Sequence, residues 1–186
     1  MNKMTLWAVL WIGITAAIPG TMRAAEPGDI VNFREYSASL ASSGQPTVEQ
    51  LEAIRDAGYE RVVYLAYSDS EGALQHEDHL VENLRMEFYN VPVDWENPRS
   101  SDFYAFAAIL NQSSSTRTLV HCQVNFRASS FSFLYRVLYA NVPVAEAKDA
   151  LESVWIPNNT WRTFIFEILE ENGVDPDCDA CLWSED

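Results

Sequence analysis

Three short runs constrain the fold more than anything else in the chain: 61–66 (Arg-Val-Val-Tyr-Leu-Ala), 86–93 (Met-Glu-Phe-Tyr-Asn-Val-Pro-Val) and 118–121 (Thr-Leu-Val-His). Each is rich in β-branched and aromatic residues and too short to be a stable helix, which is the composition of a strand covered on both faces. Stretches with helical character separate them, at 77–84 and again at 102–110. A strand that recurs after a helical crossover pairs in parallel with the one before it. The expected architecture is therefore α/β, with a central, mostly parallel sheet of about four to five strands flanked by helices.

The remaining elements fit around that frame. Residues 29–33 read as a short strand and 37–46, rich in Ser and Gly, as a loop. Thr47 with Gln50 three residues on is a capping box that opens a helix; Leu51 and Ile54 share its apolar face and Gly58 ends it. Residues 94–98 form a polar loop closed by Pro98. The 118–121 strand runs at once into 122–127 and then into a helical pattern from about 129 to 139. Pro143 suits the first turn of a helix reaching about 154, and Asn158 or Asn159 caps a last helix carrying Phe164, Ile168 and Leu169 and ending near Gly173. Arg117 and Arg136 read as surface charges.

Residues 4–18 form an uncharged, mostly apolar run behind Lys3, with no further charge before Arg23. That run is short for a membrane span, which needs roughly twenty apolar residues, and has the form of a secretory signal. The expected organisation is a signal peptide at 1–25 and one domain at 26–186, periplasmic or secreted, with no stable membrane insertion after cleavage. The formal charge of −15 moves to about −17 when Lys3 and Arg23 leave with that segment. No cluster of Lys and Arg is present to neutralise a phosphate polymer, so nucleic acid is excluded as a partner. Of three cysteines, Cys178 and Cys181 form a C-x-x-C near the end and are expected to pair as a disulfide, which leaves Cys122 alone.

Chemistry concentrates where that cysteine stands, in Val120-His121-Cys122-Gln123-Val124-Asn125-Phe126-Arg127-Ala128-Ser129. A loop between a strand and a helix N-terminus turns its backbone N–H groups into one concavity, which favours an anion such as a phosphoryl group. The same positive end favours a cysteine thiolate able to attack phosphorus, and a planar guanidinium grips two oxygens at once. Cys122 is the candidate nucleophile, Arg127 the candidate clamp, and Ser129 a donor to the sulfur when it leaves.

His121-Cys122, a short loop, then Arg127 and Ser129 resembles the signature of the cysteine-dependent protein tyrosine and dual-specificity phosphatases. The sequence departs from that signature in having four residues, not five, between Cys122 and Arg127, and no glycine in the loop. Ser43-Gly44-Gln45-Pro46-Thr47 and Ala57-Gly58-Tyr59, with the strand after them, are similar to a bacterial phosphatase-like family related to the domain attached to some β-lactamase-like hydrolases; the likeness spans roughly residues 30–140, and its shortened loops share the pattern His-Cys-Gln-x-Asn-x-Arg-Ala-Ser. The resemblance implies a dual-specificity-phosphatase-like fold, a cysteinyl-phosphate intermediate, a phosphorylated protein or small molecule as substrate, and no cofactor or metal. It implies that Gln123, Val124, Asn125 and Phe126 cradle the phosphate and that His121 organises the loop. It also implies an acid on a loop some thirty residues before the cysteine; Asp94 is the first choice, with Glu96 and Asp102 as rivals. Trp95 and Phe126 are candidates to flank the pocket.

Three other readings compete. A catalytically silent phosphate- or phosphopeptide-binding module needs the loop and not the acid. A rhodanese-type sulfurtransferase also cradles an anion around a cysteine. A zinc site from His76-x-x-His79 and Cys178-x-x-Cys181 has four ligands of suitable kinds, but its histidines are one residue short of the i, i+4 spacing of helical metalloproteases.

Overall fold

The structure, a computed structural model, describes residues 25–178 and 181–183. Apart from Ala25, the signal-peptide expectation falls outside these residues. Five strands form one sheet in the order β1-β2-β5-β3-β4: β1 (Arg34–Ser37), β2 (Leu40–Ser43), β3 (Arg61–Tyr64), β4 (Glu87–Asn90) and β5 (Thr118–His121). Only the β1–β2 hairpin is antiparallel. The helices are α1 (Val48–Asp56), α2 (Glu77–Asn83), α3 (Ser100–Asn111), α4 (Phe126–Tyr139), α5 (Val144–Glu152) and α6 (Asn159–Glu171). The expected α/β architecture is thus the one observed.

Side-chain alternation along the strands builds a core on each face. Ala41, Val62 and Leu119 pack with Leu51 and Ile54 of α1 and Val81 of α2. Val63 and Val120 belong to the larger core, with Phe103 and Phe106 of α3, Phe131 and Leu134 of α4, and Trp161 and Ile165 of α6. Most of α4 is buried, and the buried residues include Arg127, Ser129, Ser130, Ser132 and Arg136 beside its aromatic and aliphatic ones. Register aligns Ser43, His121 and Tyr64 across β2, β5 and β3. The loops that follow these strands therefore gather at the carboxyl edge of the parallel sheet, where α/β folds bind ligands.

The capping box at Thr47 and Gln50 forms as expected, and Asn158 caps α6 through Trp161 N. Cys178 and Cys181 are joined by a disulfide, which takes both thiols that a zinc site needs. Elsewhere expectation and structure part. Residues 27–29 form a 3-10 turn, and the first strand starts only at Arg34. The Ser-rich stretch read as a loop contains β2, buried throughout between β1 and β5. Helix α4 starts at Phe126 and so includes Arg127. Arg136 is buried over the Tyr36 ring at 4.9 Å, and Arg117 lies over Tyr59 at 4.4 Å with Nη2 2.6 Å from Glu35 Oε1. Their flat guanidinium faces cover aromatic surface.

Candidate active site

The chain leaves β5 at His121 and turns through 122–125 into α4, and three neighbours fix that turn. The Cys122 N–H donates to Ser43 O at 3.3 Å, and Gln45 N–H donates to Gln123 O at 3.1 Å. Gly44 sits between them so tightly that a Cβ there would lie 2.9 Å from Gln123 O. Asn125 adopts φ 76°, the left-handed conformation that asparagine tolerates better than other non-glycine residues. Its amide donates to Asn32 O at 2.6 Å, while the Asn32 amide donates to Val124 O at 3.0 Å. This reciprocal pair ties the loop to the segment before β1.

A cavity of about 230 Å³ opens over the turn, lined by Trp95, Cys122, Gln123, Val124, Phe126 and Arg127. Cys122 is 1% exposed. Arg127 is 8% exposed; its Nη1 donates to Gln123 Oε1 at 3.1 Å and its guanidinium lies 5.5 Å from the centre of the Trp95 ring. Among the described residues it has no carboxylate partner, and its Nε has no hydrogen-bond acceptor. A buried cation without a counter-charge is costly, and an anion held in the cavity offsets that cost. Phe126 stacks face to face on Trp155, with ring centroids 4.7 Å apart, and Trp95 packs against both, so one wall is rigid and apolar.

Cys122, Gln123, Val124, Phe126 and Arg127 thus meet in one cavity, with Trp95 and Phe126 on its wall as expected. Asp94, His121, Asn125 and Ser129 are not on its wall. Asn125 braces the loop, and the Ser129 hydroxyl donates to Phe126 O at 3.1 Å. His121 is fully buried, stacks on Tyr64 at 4.7 Å, and has Nε2 3.3 Å from Glu77 Oε1. Burial lowers the His121 pKa to about 3 and raises that of Glu77 to about 7, because neither charged form is well solvated there. Asp94 directly precedes Trp95, and its Oδ1 accepts from Glu96 N at 2.9 Å and Asn97 N at 3.3 Å, which fixes the loop's turn. Glu96 is exposed; Asp102 lies in the first turn of α3, with Oδ2 3.5 Å from Arg99 Nε.

Glu77, Gln45 and Trp155 were not singled out by role. Glu77 lies inside His76-Glu77-Asp78-His79, a string that reads as a solvated helix start until the fold buries one of its acids.

The sequence matches no family model and no curated protein, but solved structures resemble it. A candidate phosphatase of the DUF442 group from Shewanella putrefaciens CN-32 is 30% identical, with a TM-score of 0.70, and the match covers 76% of this chain and 91% of that one. The core catalytic domain of the PP-IP phosphatase SIW14 from S. cerevisiae is 17% identical, with a TM-score of 0.62, over 79% of this chain and 87% of that one. Kinase associated phosphatase, in a form whose catalytic-site cysteine is replaced by serine, is 14% identical, with a TM-score of 0.63, over 72% and 87%. The last two establish the shared fold.

Proposed function

The chain belongs to the DUF442 family, and from that premise we propose that it hydrolyses phosphomonoesters through a cysteinyl-phosphate intermediate, with Cys122 as nucleophile, Arg127 as phosphate clamp and Asp94 as general acid. One observation carries the reading: among the described residues the cation lining the 230 Å³ cavity is Arg127, which has no carboxylate partner there and shares the cavity with Cys122 at the start of α4.

In the first step the Cys122 thiolate forms a bond to phosphorus, the bond from phosphorus to the leaving oxygen breaks, and Asp94 gives that oxygen its proton. Arg127 and the N–H groups of the loop hold the equatorial oxygens as charge spreads over them. In the second step the Asp94 carboxylate takes a proton from water, the water oxygen bonds to phosphorus, and the bond from sulfur breaks to return the thiolate and inorganic phosphate. Asp94 is supported by its place in the loop that carries Trp95 to the cavity wall. The Asp102 contact with Arg99 at its helix start favours a structural role for that residue. The Cys178–Cys181 disulfide supports an oxidising compartment, periplasmic or secreted.

The test is hydrolysis of a small aryl phosphate by the purified protein, under reducing conditions and with chelator present. Cys122→Ser is expected to reduce turnover to background, and Asp94→Ala to lower kcat by about 10²–10⁴-fold. A parent protein that binds vanadate at Cys122 but releases no phosphate is a binding module instead.

A further inference from the structure

On the α2 side of the sheet, directly behind the nucleophile, lies a second cluster that the hydrolysis scheme leaves unused. Glu77, 5% exposed, places Oε1 3.3 Å from His121 Nε2, and Gln45 Nε2 donates to the same oxygen at 2.9 Å. The other carboxyl oxygen and both imidazole nitrogens have no hydrogen-bond partner among the described residues. Tyr64 stacks on the imidazole, and its hydroxyl feels the charges of Glu77, Cys122 and Arg127 together. Glu77 and Cys122 thus both act on Tyr64, and His121, which Glu77 approaches, is the residue joined directly to Cys122. A cavity of about 420 Å³, also bordered by Tyr64, Ser68 and Asn90, lies against Glu77 and gives its proton a route to solvent.

We propose that Glu77 is a positioning residue for the nucleophile: through its contact with His121 at 3.3 Å it sets whether a negative charge stands behind Cys122, and so how reactive that thiol is. The inference rests on the reading of Cys122 as nucleophile and adds a control to it. His121, buried and neutral, does not supply a compensating charge, and burial keeps the Glu77 proton on to about pH 7. Below that pH the pair is neutral, and above it an anion appears that opposes the thiolate. The titratable groups facing Glu77 are His121, with Cys122 beyond it, and Tyr64 from β3; Gln45 faces it as a neutral donor, and His76, Asp78 and His79 are its neighbours in sequence at the start of α2.

Alkylation of Cys122 by iodoacetamide, followed by mass spectrometry of the full chain between about pH 5 and pH 9, reads thiolate reactivity without requiring turnover. The wild type, Glu77→Gln and Gln45→Met are compared. Below pH 7 the wild type and Glu77→Gln are expected to react alike. Above it Glu77→Gln should react roughly three- to tenfold faster, because its amide never acquires the opposing charge. Gln45→Met removes a donor that favours the carboxylate, and so should move the wild-type break to higher pH. Superimposable profiles, or a uniform slowing at every pH, overturn the proposal. If Glu77→Gln does not fold, the position of the break in Gln45→Met decides. A chain that alkylates as expected but hydrolyses no aryl phosphate supports this inference and overturns the enzymatic one.

Discussion

At the scale of single residues, the shortened loop keeps its shape through two substitutions of kind. Asn125 accepts a positive φ and uses its side chain to hold Asn32, while Gly44 clears the space in which Gln123 turns. The oxygen facing Gly44 belongs to backbone already bonded to Gln45, so it cannot swing aside as a flexible side chain does. Gly44→Ala should therefore displace the loop without unfolding the sheet. Misplacement of about an ångström at a reacting centre is costly, so kcat/KM for an aryl phosphate is expected to fall about ten- to a hundredfold while the far-UV circular dichroism is unchanged. Wild-type activity in that variant counts against the loop geometry described. Cys122 and Arg127 were legible in the sequence because strand, loop and helix start are contiguous there. Glu77 was not, since its burial is set by Gln45 and His121, which reach it from distant parts of the chain.

At the scale of elements, legibility followed the source of each strand's stability. β3 and β5 are covered on both faces and read as apolar runs. β2 is as buried as they are, yet its Leu-Ala-Ser-Ser looks like a loop, because small hydroxyl residues satisfy themselves locally: Ser43 Oγ donates to Gly44 O at 2.8 Å, and Ser42 Oγ bonds the Tyr36 hydroxyl at 2.8 Å. The start of α4 was placed too late because Asn125 caps it with a left-handed turn and no side-chain cap bond, so the usual signal is absent. This helix carries Arg127 at one end and packs through Phe131 against Phe103, Phe106, Trp161 and Phe164. Phe131→Ala should cost about 3–5 kcal/mol of stability, measured by urea unfolding. A loss below about 1 kcal/mol implies that the neighbouring rings collapse into the space.

For the whole molecule, charge and site pull in opposite directions. The chain carries a formal charge of −15, while the cavity in which the proposed reaction places an anion is lined by Arg127. Long-range repulsion then slows the encounter that local groups reward, and salt screens the first more than the second. Raising ionic strength from about 10 mM to 0.5 M is expected to increase kcat/KM for an aryl phosphate severalfold, mainly through KM. A decrease points instead to attraction at the cavity mouth that outweighs the net charge.

The disulfide near the carboxyl end and the lone cysteine in the sheet also pose a sorting problem during maturation. Three thiols permit three pairings, and two of them consume Cys122. Cys178 and Cys181 are three residues apart, so their encounter requires little chain closure, whereas either must search much further to reach Cys122. Once β5 is zipped between β2 and β3, Cys122 at its end is 1% exposed and reached through its own cavity, too confined for a protein thiol to pair with it readily. Chain proximity selects the correct bridge early and burial protects the choice afterwards, so the order of cysteines along the sequence itself guards the thiol against scrambling.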